Sequence, residues 1–450
     1  MNNKTPKMMK QICTVLLLIG TLSSFAQKKW SLKECVDHAL EHNISVKQNQ
    51  NNLLVNAQDI IAAKGQFLPS FSGSLGERMS IGSGFDPVSN QRINNQTTHS
   101  FNYNLSVNQN VFNGFRTLNL YKQSLLSQEI NNLELARIKD NISLNVVNAY
   151  LNVLFNIENL EIAKNQFDFS QQQLDQVRNL VNAGVQPKAN LFTSEATLSR
   201  DEQQVTIAEN NYNLSLLSLS QLLQVPFNEF EVETIDLETP SEVLMYKDVS
   251  PIISYAFDNR NEIEIAQKNI ENAELSTEIS KSGYLPSVNF SYGFGSVWSE
   301  FKEERDDQKR AFFTELDLNK GHNFNLNVNI PIFSRFQNKT AVAKSRIQED
   351  NSQLNLEQAK LDLESNIQRA FTDAQAAFKA YNAAKKSLAS QEFSFNSSNE
   401  RYTLGNITAF DLEQARVQFI NAQSSLINAK FDFIFKTKVL DFYMGKPLTP

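Results

Sequence analysis

Apolar and polar residues alternate along several short stretches of this chain. The clearest stretch covers residues 323–332, where apolar side chains occupy one side and four asparagines the other. Residues 102–111 and 287–294 repeat the pattern. Successive side chains of a strand point to opposite faces, so the alternation predicts strands with one apolar and one polar face. We expect the apolar face to comprise Tyr103, Leu105, Val107, Val288, Phe290, Tyr292, Phe324, Leu326, Val328 and Ile330.

A helical pattern occupies most of the remaining chain. Its longest uninterrupted part runs from Phe115 to Val181, without proline or glycine. At 1.5 Å per residue, such a helix is on the order of 100 Å long. Apolar stripes at helical spacing predict that the long helices pack side by side. The stripes include Leu135, Ile138, Ile142 and Val146 in the first half, and Leu363, Ile367, Ala370 and Ala374 in the second.

The order of these elements occurs twice. Three marker residues recur 221 positions later (405 − 184 = 221): Gly184, Pro226 and Asn104 return as Gly405, Pro447 and Asn325. Each copy is expected to contain a long helix, two strands, a very long helix and another long helix. We therefore divide the chain into a signal peptide, a first repeat, an acidic linker and a second repeat, at residues 1–26, 27–226, 227–248 and 249–450.

The N-terminus has the features of a secretory signal peptide. Three lysines precede an apolar run from Ile12 to Leu22, and Ser24–Ala26 offers small residues for cleavage, so we expect the mature chain to begin at Gln27. Cys35 is then the only thiol, which excludes a disulfide framework. Loss of the three lysines changes the net charge from −7 to −10 (39 basic minus 49 acidic residues), which argues against nucleic acid as a partner.

The strands carry the prediction of membrane residence. No stretch of the mature sequence reaches the roughly 18 consecutive apolar residues of a membrane-spanning helix. The alternation alone also fits a soluble sheet. A length of about 10 residues, asparagine on the polar face and aromatic residues near the strand ends favour a membrane strand. Four strands cannot close a barrel, since about eight is the smallest number observed, so the sequence predicts an oligomer.

Groups that could support catalysis are sparse. His38 and His42 have the spacing of a metal-binding pair on a helix, but no third ligand accompanies them. The glycines at Gly293–Gly295 lie within a strand pattern and do not form a phosphate-binding loop. We therefore expect no enzyme activity, no cofactor and no metal site.

The chain resembles the TolC-type outer-membrane efflux proteins. The resemblance rests on the opening segment Trp30–Leu40, on the corner at Phe67–Ser70 and its match at Leu285–Ser287, and on the duplicated element order. It implies an α+β protein whose three copies combine twelve strands into one outer-membrane β-barrel, which the long helices continue as a periplasmic α-barrel. Residues 227–248 would belong to a belt around the helices. The implied partners are two further copies of the chain, outer-membrane lipid, a periplasmic adaptor and an inner-membrane pump.

The predicted helix tips carry the residues for which the resemblance implies a role. Gly184 and Gly405 suit left-handed helix ends, and Thr408 followed by Asp411 resembles a capping box. The resemblance implies that Asp411 lines a periplasmic constriction, where three copies form a ring of carboxylates that attracts cations. The alternative is that Asp411 only stabilises the start of its helix.

Further tip residues complete the predicted constriction. Gln414 takes the place of the family's second acidic residue, Ile407 that of a basic one, and Asn190 that of an aspartate. We expect Tyr402 and Asn190 to form a gate latch through a hydrogen bond. Contacts with the adaptor are expected from Gly184, Val185, Leu404, Gly405 and Ile407.

These inferences predict a passive exit duct for small molecules, driven by the pump through the adaptor. A duct for type I protein secretion is the nearest alternative. A periplasmic coiled-coil adaptor is the alternative from another class of protein, and it should lack the four alternating strands.

Overall fold

The computed structural model of the protein describes residues 29–86, 91–228, 230–234, 246–301 and 311–448. The predicted signal peptide at residues 1–26 lies outside the described residues. Residues 229 and 235–245 of the predicted acidic linker lie outside them as well.

Helices and strands of the described chain follow one another in this order: β1 (Lys29–Trp30), α1 (Leu32–His42), α2 (Ile44–Gly65), β2 (Ser70–Asp86), β3 (Gln91–Asn113), α3 (Arg116–Asn182), α4 (Lys188–Leu223), β4 (Glu231–Val232), α5 (Ser250–Asn259), α6 (Asn261–Lys281), β5 (Ser287–Phe301), α7 (Phe312–Leu318), β6 (Gly321–Asn329), α8 (Gln337–Thr403) and α9 (Ala409–Tyr443). The long helices α3 and α8 have 67 residues each. Within the described ranges, no helix is both long enough and apolar enough to cross a membrane.

The first helical segment of each half is broken, where one continuous helix was predicted. Asn43 separates α1 from α2 with φ −58° and ψ 132°, and its side-chain oxygen accepts a hydrogen bond from the amide of Ser45 (2.9 Å). Arg260 separates α5 from α6 with φ −84° and ψ 134°. The prediction was wrong here because a single extended residue is enough to break the helix. Neither Asn43 nor Arg260 is a proline or glycine, so the sequence carries no strong signal of a break.

The four predicted strands are present, and they form an antiparallel sheet in the order β2-β3-β5-β6. Three of them are longer than the predicted 10 residues, with 17 in β2, 23 in β3 and 15 in β5. β6 ends at Asn329, so Ile330 lies beyond the strand to which it was assigned. Proline cannot donate a hydrogen bond to a neighbouring strand, and Pro331 therefore limits the strand at this end.

The register of the sheet separates its two faces. Directly paired residues of neighbouring strands point to the same face. One row across all four strands contains Phe71, Val107, Tyr292 and Phe324. The next row contains Ser70, Asn108, Ser291 and Asn325. The sheet therefore has an apolar face and a polar face, which contains mainly asparagine, serine and glycine.

The chain forms two compact units, and each takes segments from both halves of the sequence. The first unit contains the described residues of 29–48, 135–260 and 360–448. Its core includes Cys35, which is fully buried as an apolar residue would be. The hydroxyl of Tyr150 donates to the carbonyl of Glu233 (2.6 Å), and burial raises the pKa of this tyrosine. The second unit, Asn49–Glu134 with Asn261–Ala359, contains the sheet.

Candidate pore constriction at the helix tips

Matching turns connect α3 to α4 and α8 to α9. Gly184 and Gly405 both have φ +74°. In each turn, the amide of the residue after the glycine donates a hydrogen bond to the carbonyl of the residue five positions before that amide. These bonds are Val185 to Leu180 (2.9 Å) and Asn406 to Arg401 (2.8 Å). This is the Schellman arrangement, which needs a left-handed residue and therefore favours glycine. The predicted left-handed helix ends are confirmed.

The two helices that leave these turns begin differently. α4 follows Pro187, which provides no side-chain cap. α9 begins with the predicted capping box, in which the Asp411 amide donates to Thr408 Oγ1 (3.2 Å). In return, Asp411 Oδ2 accepts from the Thr408 amide (3.1 Å) and from Thr408 Oγ1 (2.7 Å). The capping role of Asp411 is therefore confirmed.

The cap leaves the charge of Asp411 available to the surroundings. Both hydrogen bonds from Thr408 go to Oδ2, and the side chain is exposed. The hydroxyl and the backbone amide of Thr408 hold the pKa of the Asp411 carboxyl below its usual value. The carboxylate is therefore ionised at neutral pH. Gln414 lies three residues further along α9 and is exposed and neutral, so it adds polarity without charge.

The predicted hydrogen bond between Tyr402 and Asn190 is not formed. Among the described residues, the buried Tyr402 hydroxyl has no hydrogen-bond partner. Asn190 Nδ2 donates to Gln186 Oε1 instead (3.3 Å). Gln186 lies four residues earlier, which brings the two amide side chains together without any contribution from α8. A local partner therefore replaces the predicted one, and the prediction of this bond was wrong.

Both residues nevertheless line one cavity of about 640 Å³ between the two helix pairs. Amide and hydroxyl side chains dominate its wall: Ser170, Gln173, Gln186, Asn190, Thr193, Ser194, Thr197, Tyr402 and Thr408. Ile407 also lines the cavity and is half-buried, which corrects its predicted exposure at the tip. The cavity is therefore a mostly neutral, hydrogen-bonding space directly behind the tips.

Apolar side chains project from the tips into solvent. Val185 and Leu404 are exposed as predicted. Phe192 in α4 and Phe410 in the first turn of α9 are equally exposed, and sequence reasoning missed them. Phe410 stands directly before Asp411, and a bulky apolar residue next to a capping pair is the signal that could have identified it.

A buried ion-pair network lies beside this cavity and was not predicted either. Arg416 in α9 is 3% exposed. Its Nη1 donates to Asp201 Oδ2 in α4 (2.8 Å) and to Ser170 Oγ in α3 (3.2 Å). The Ser170 hydroxyl also hydrogen-bonds to Asp201. One guanidinium therefore connects three helices in the interior of the first unit.

Glu413 completes this network on the other side of the guanidinium. It accepts from Arg416 Nε (2.8 Å) and Nη2 (3.0 Å), and it also pairs with Arg200. Burial acts to lower the pKa of Arg416, but the hydrogen bonds from Glu413 and Asp201 outweigh it and raise this pKa. Arg416 is therefore a buried cation with two carboxylate partners. Arg416 lies four residues after the buried Leu412, on the apolar stripe of α9. A charged residue on an apolar stripe is the signal by which the sequence could have revealed the buried ion pair.

Comparisons with known proteins agree with this architecture. The family model described as "Outer membrane efflux protein" matches residues 35–224 and 252–445. Outer membrane protein TolC of Escherichia coli strain K12 is 22% identical over 436 residues, which cover 95% of this chain and 84% of the relative. The crystal structure of the Campylobacter jejuni CmeC outer membrane channel has a TM-score of 0.75 at 18% identity, covering 92% of this chain and 85% of that one. CusC gives a TM-score of 0.76 at 16% identity, with 92% of each chain covered.

Proposed function

This chain belongs to the outer membrane efflux protein family, and we propose that it forms a passive exit duct for small molecules. Members of the family are transport channels of the outer membrane. In the proposed assembly, three copies form the duct, and a periplasmic adaptor and an inner-membrane pump deliver the substrate. The separation of the sheet into an apolar and a polar face carries this proposal.

The apolar face has the properties of a lipid contact. In the isolated chain, Phe324 is 70% and Leu326 is 64% exposed, although both are large apolar residues. A water-soluble protein rarely exposes an apolar patch of this extent. The opposite face, with Asn325 and Asn327, suits a water-filled interior. The sheet also argues against the coiled-coil adaptor alternative, which should lack these strands.

The edges of the sheet argue for assembly. β2 and β6 each pair with one neighbour in the described chain, so each has one free edge. A free edge cannot be accommodated in lipid, because water is not available to its backbone groups. Pairing of β2 with β6 of the next copy would satisfy both edges. Three copies of the four strands then give the twelve strands of the proposed barrel.

The detergent-extracted protein is therefore expected to be a trimer. Size-exclusion chromatography with light scattering measures the protein mass after subtraction of the detergent. A stable oligomer is expected because every chain has the same two unpaired edges, and three chains supply the twelve strands of the proposed barrel. A monodisperse monomer that retains its secondary structure by circular dichroism would contradict the proposed assembly.

The helix tips are proposed as the periplasmic constriction. In a trimer, Asp411 would occur three times around the axis, with Gln414 and Asn190 as neutral neighbours. A ring of carboxylates attracts cations and holds multivalent ones most strongly. The exposed Val185 and Leu404, with the glycines of the same turns, are the proposed contacts for the adaptor, since exposed apolar patches mark interaction sites.

Asp411→Asn is expected to weaken block by multivalent cations in planar lipid bilayers. The amide removes the charge but keeps an oxygen that can accept the Thr408 hydrogen bonds, so the helix start should persist. Glu400→Gln, which removes an exposed charge near the same tip, is the matched control and should leave block unchanged. Equal block in both variants and the unmodified protein would leave Asp411 with its capping role alone.

The pH dependence of this block provides a separate prediction. A cation binds the ionised carboxylate, and the hydrogen bonds from Thr408 lower the pKa of Asp411. The block should therefore be lost at a lower pH than it would be for an aspartate without these hydrogen bonds. Conductance titrations from pH 7 downward measure this. Loss of block above the usual aspartate range would show that another group holds the cation.

A further inference from the structure

The short helix α7 lies on the apolar face of the sheet. The ring of Phe312 packs against Phe101 (5.3 Å between centroids) and Trp298 (5.1 Å). Phe101 and Trp298 are direct partners in the register of β3 and β5. Both lie an even number of residues from Tyr103 and Phe294, so they share the apolar face with them. α7 therefore covers part of the face that we propose contacts lipid.

Two hydrogen bonds fix α7 to β5. Ser296 Oγ donates to the carbonyl of Leu316 (2.7 Å), and Asn319 Nδ2 donates to the carbonyl of Val297 (2.8 Å). Ser296 and Leu316 are both buried by this contact. A small hydroxyl residue within the apolar row thus provides both the space for the helix and a donor for its end. α7 is an ordered element with a defined position on the sheet.

The outward side of α7 exposes large apolar residues. Phe313 is 80% and Leu318 is 61% exposed. Transfer of these side chains out of water would stabilise both. Polar groups accompany them, since Lys320 forms an ion pair with Asp317 (2.5 Å). Exposed apolar side chains and charged groups therefore occur together at α7, on a side where Phe313 and Leu318 are largely uncovered by the described residues.

We propose that α7 is an interfacial anchor that inserts Phe313 and Leu318 among the acyl chains of the outer lipid leaflet. The proposal rests on the proposed function, in which the apolar face of the sheet contacts lipid. Lipid is the occupant because the surface of α7 is continuous with that face. α7 lies at the end of β5 that is distant from α6, hence at the outer end of the barrel. Trp298 lies at the same level as α7, and tryptophan is enriched at membrane–water interfaces.

Spin labels on the full chain in lipid vesicles test this position. Cys35→Ala removes the only thiol of the predicted mature chain, and Phe313→Cys or Leu318→Cys introduces one label site each. The protein is reconstituted into phosphatidylcholine and phosphatidylglycerol vesicles, and collision rates with oxygen and with a water-soluble nickel chelate are measured. Labels at residues 313 and 318 should collide more often with oxygen than with nickel. Leu326→Cys and Asn327→Cys provide the lipid-facing and lumen-facing references.

The outcomes separate this inference from the proposed function. High nickel access at residues 313 and 318, with residue 326 still in lipid, overturns the anchor alone. Low access to both reagents at these two sites shows protein contact, for example with a neighbouring copy, and overturns the anchor too. High nickel access at residue 326 means that the sheet is not in the membrane and overturns the proposed function. A depth shallower than that of residue 326 supports the anchor.

Discussion

Leu326→Arg is expected to prevent assembly of the trimer or to reduce it sharply. Leu326 lies on the apolar face near the middle of β6, opposite Phe290. An arginine on the lipid face of a barrel costs about 2–4 kcal/mol near the bilayer midplane. The trimer would incur this cost three times, which is comparable with the whole stability of a small domain. The measurement is the yield of trimer in isolated outer membranes.

Asn327→Arg is the matched control for this substitution. It introduces the same side chain one residue further along β6, on the polar face. A charge in a water-filled interior keeps its hydration, so the trimer should form normally and only its ion selectivity should change. Equal assembly of both variants would contradict the proposed orientation of the strand. Damage by Asn327→Arg alone would show that the two faces are reversed.

Arg416→Met is expected to lower the free energy of unfolding by about 3–5 kcal/mol per chain, the usual effect of breaking a buried ion pair. Methionine has a similar length but leaves the buried carboxylate of Asp201 without its closest cation. Thermal unfolding of the detergent-solubilised protein, followed by circular dichroism, measures the loss as a lower midpoint temperature. The helices around the tip cavity should unfold first, because Ser170 and Glu413 belong both to the network and to the cavity wall.

Two further variants make this result specific to the buried network. Arg178→Met removes an exposed ion pair with Asp175 (2.9 Å) and should change stability by less than about 1 kcal/mol. Arg416→Met combined with Asp201→Leu removes both charges and should recover a large part of the loss. If the double variant were as unstable as the sum of its single variants, the ion pair would not be the origin of the effect.

Sequence patterns predicted those parts of the structure that depend only on residues close together in the chain. Alternation identified the strands, and the turns at Gly184 and Gly405 followed from the need for a left-handed residue. The capping box at Thr408 followed from two residues three apart. Each of these signals lies within a few residues of the structure that it specifies, which explains why the sequence alone sufficed.

The features that sequence reasoning missed depend on contacts between distant segments. Arg416 meets Ser170 and Asp201 only after three helices have packed together. The bond predicted between Tyr402 and Asn190 was lost to Gln186, a competing partner in the turn before α4, and the choice between the two rotamers of Asn190 leaves no pattern in the sequence. Helix α7 has seven residues, too few to show helical periodicity, and its position depends on a hydroxyl in a neighbouring strand.

β6, the shortest of the four strands in the large sheet, limits the height of the closed barrel wall. β6 has nine residues, or about 30 Å at 3.3 Å per residue, and a tilt of 35–45° reduces this to about 21–24 Å along the membrane normal. This is close to the apolar band of about 25 Å in outer-membrane barrels. β2 has 17 residues, so about half of it would rise above the continuous ring. The wall is therefore about as tall as the apolar band, α7 would lie at its outer rim, and only the parts of the longer strands beyond α7 would continue as hairpins in water.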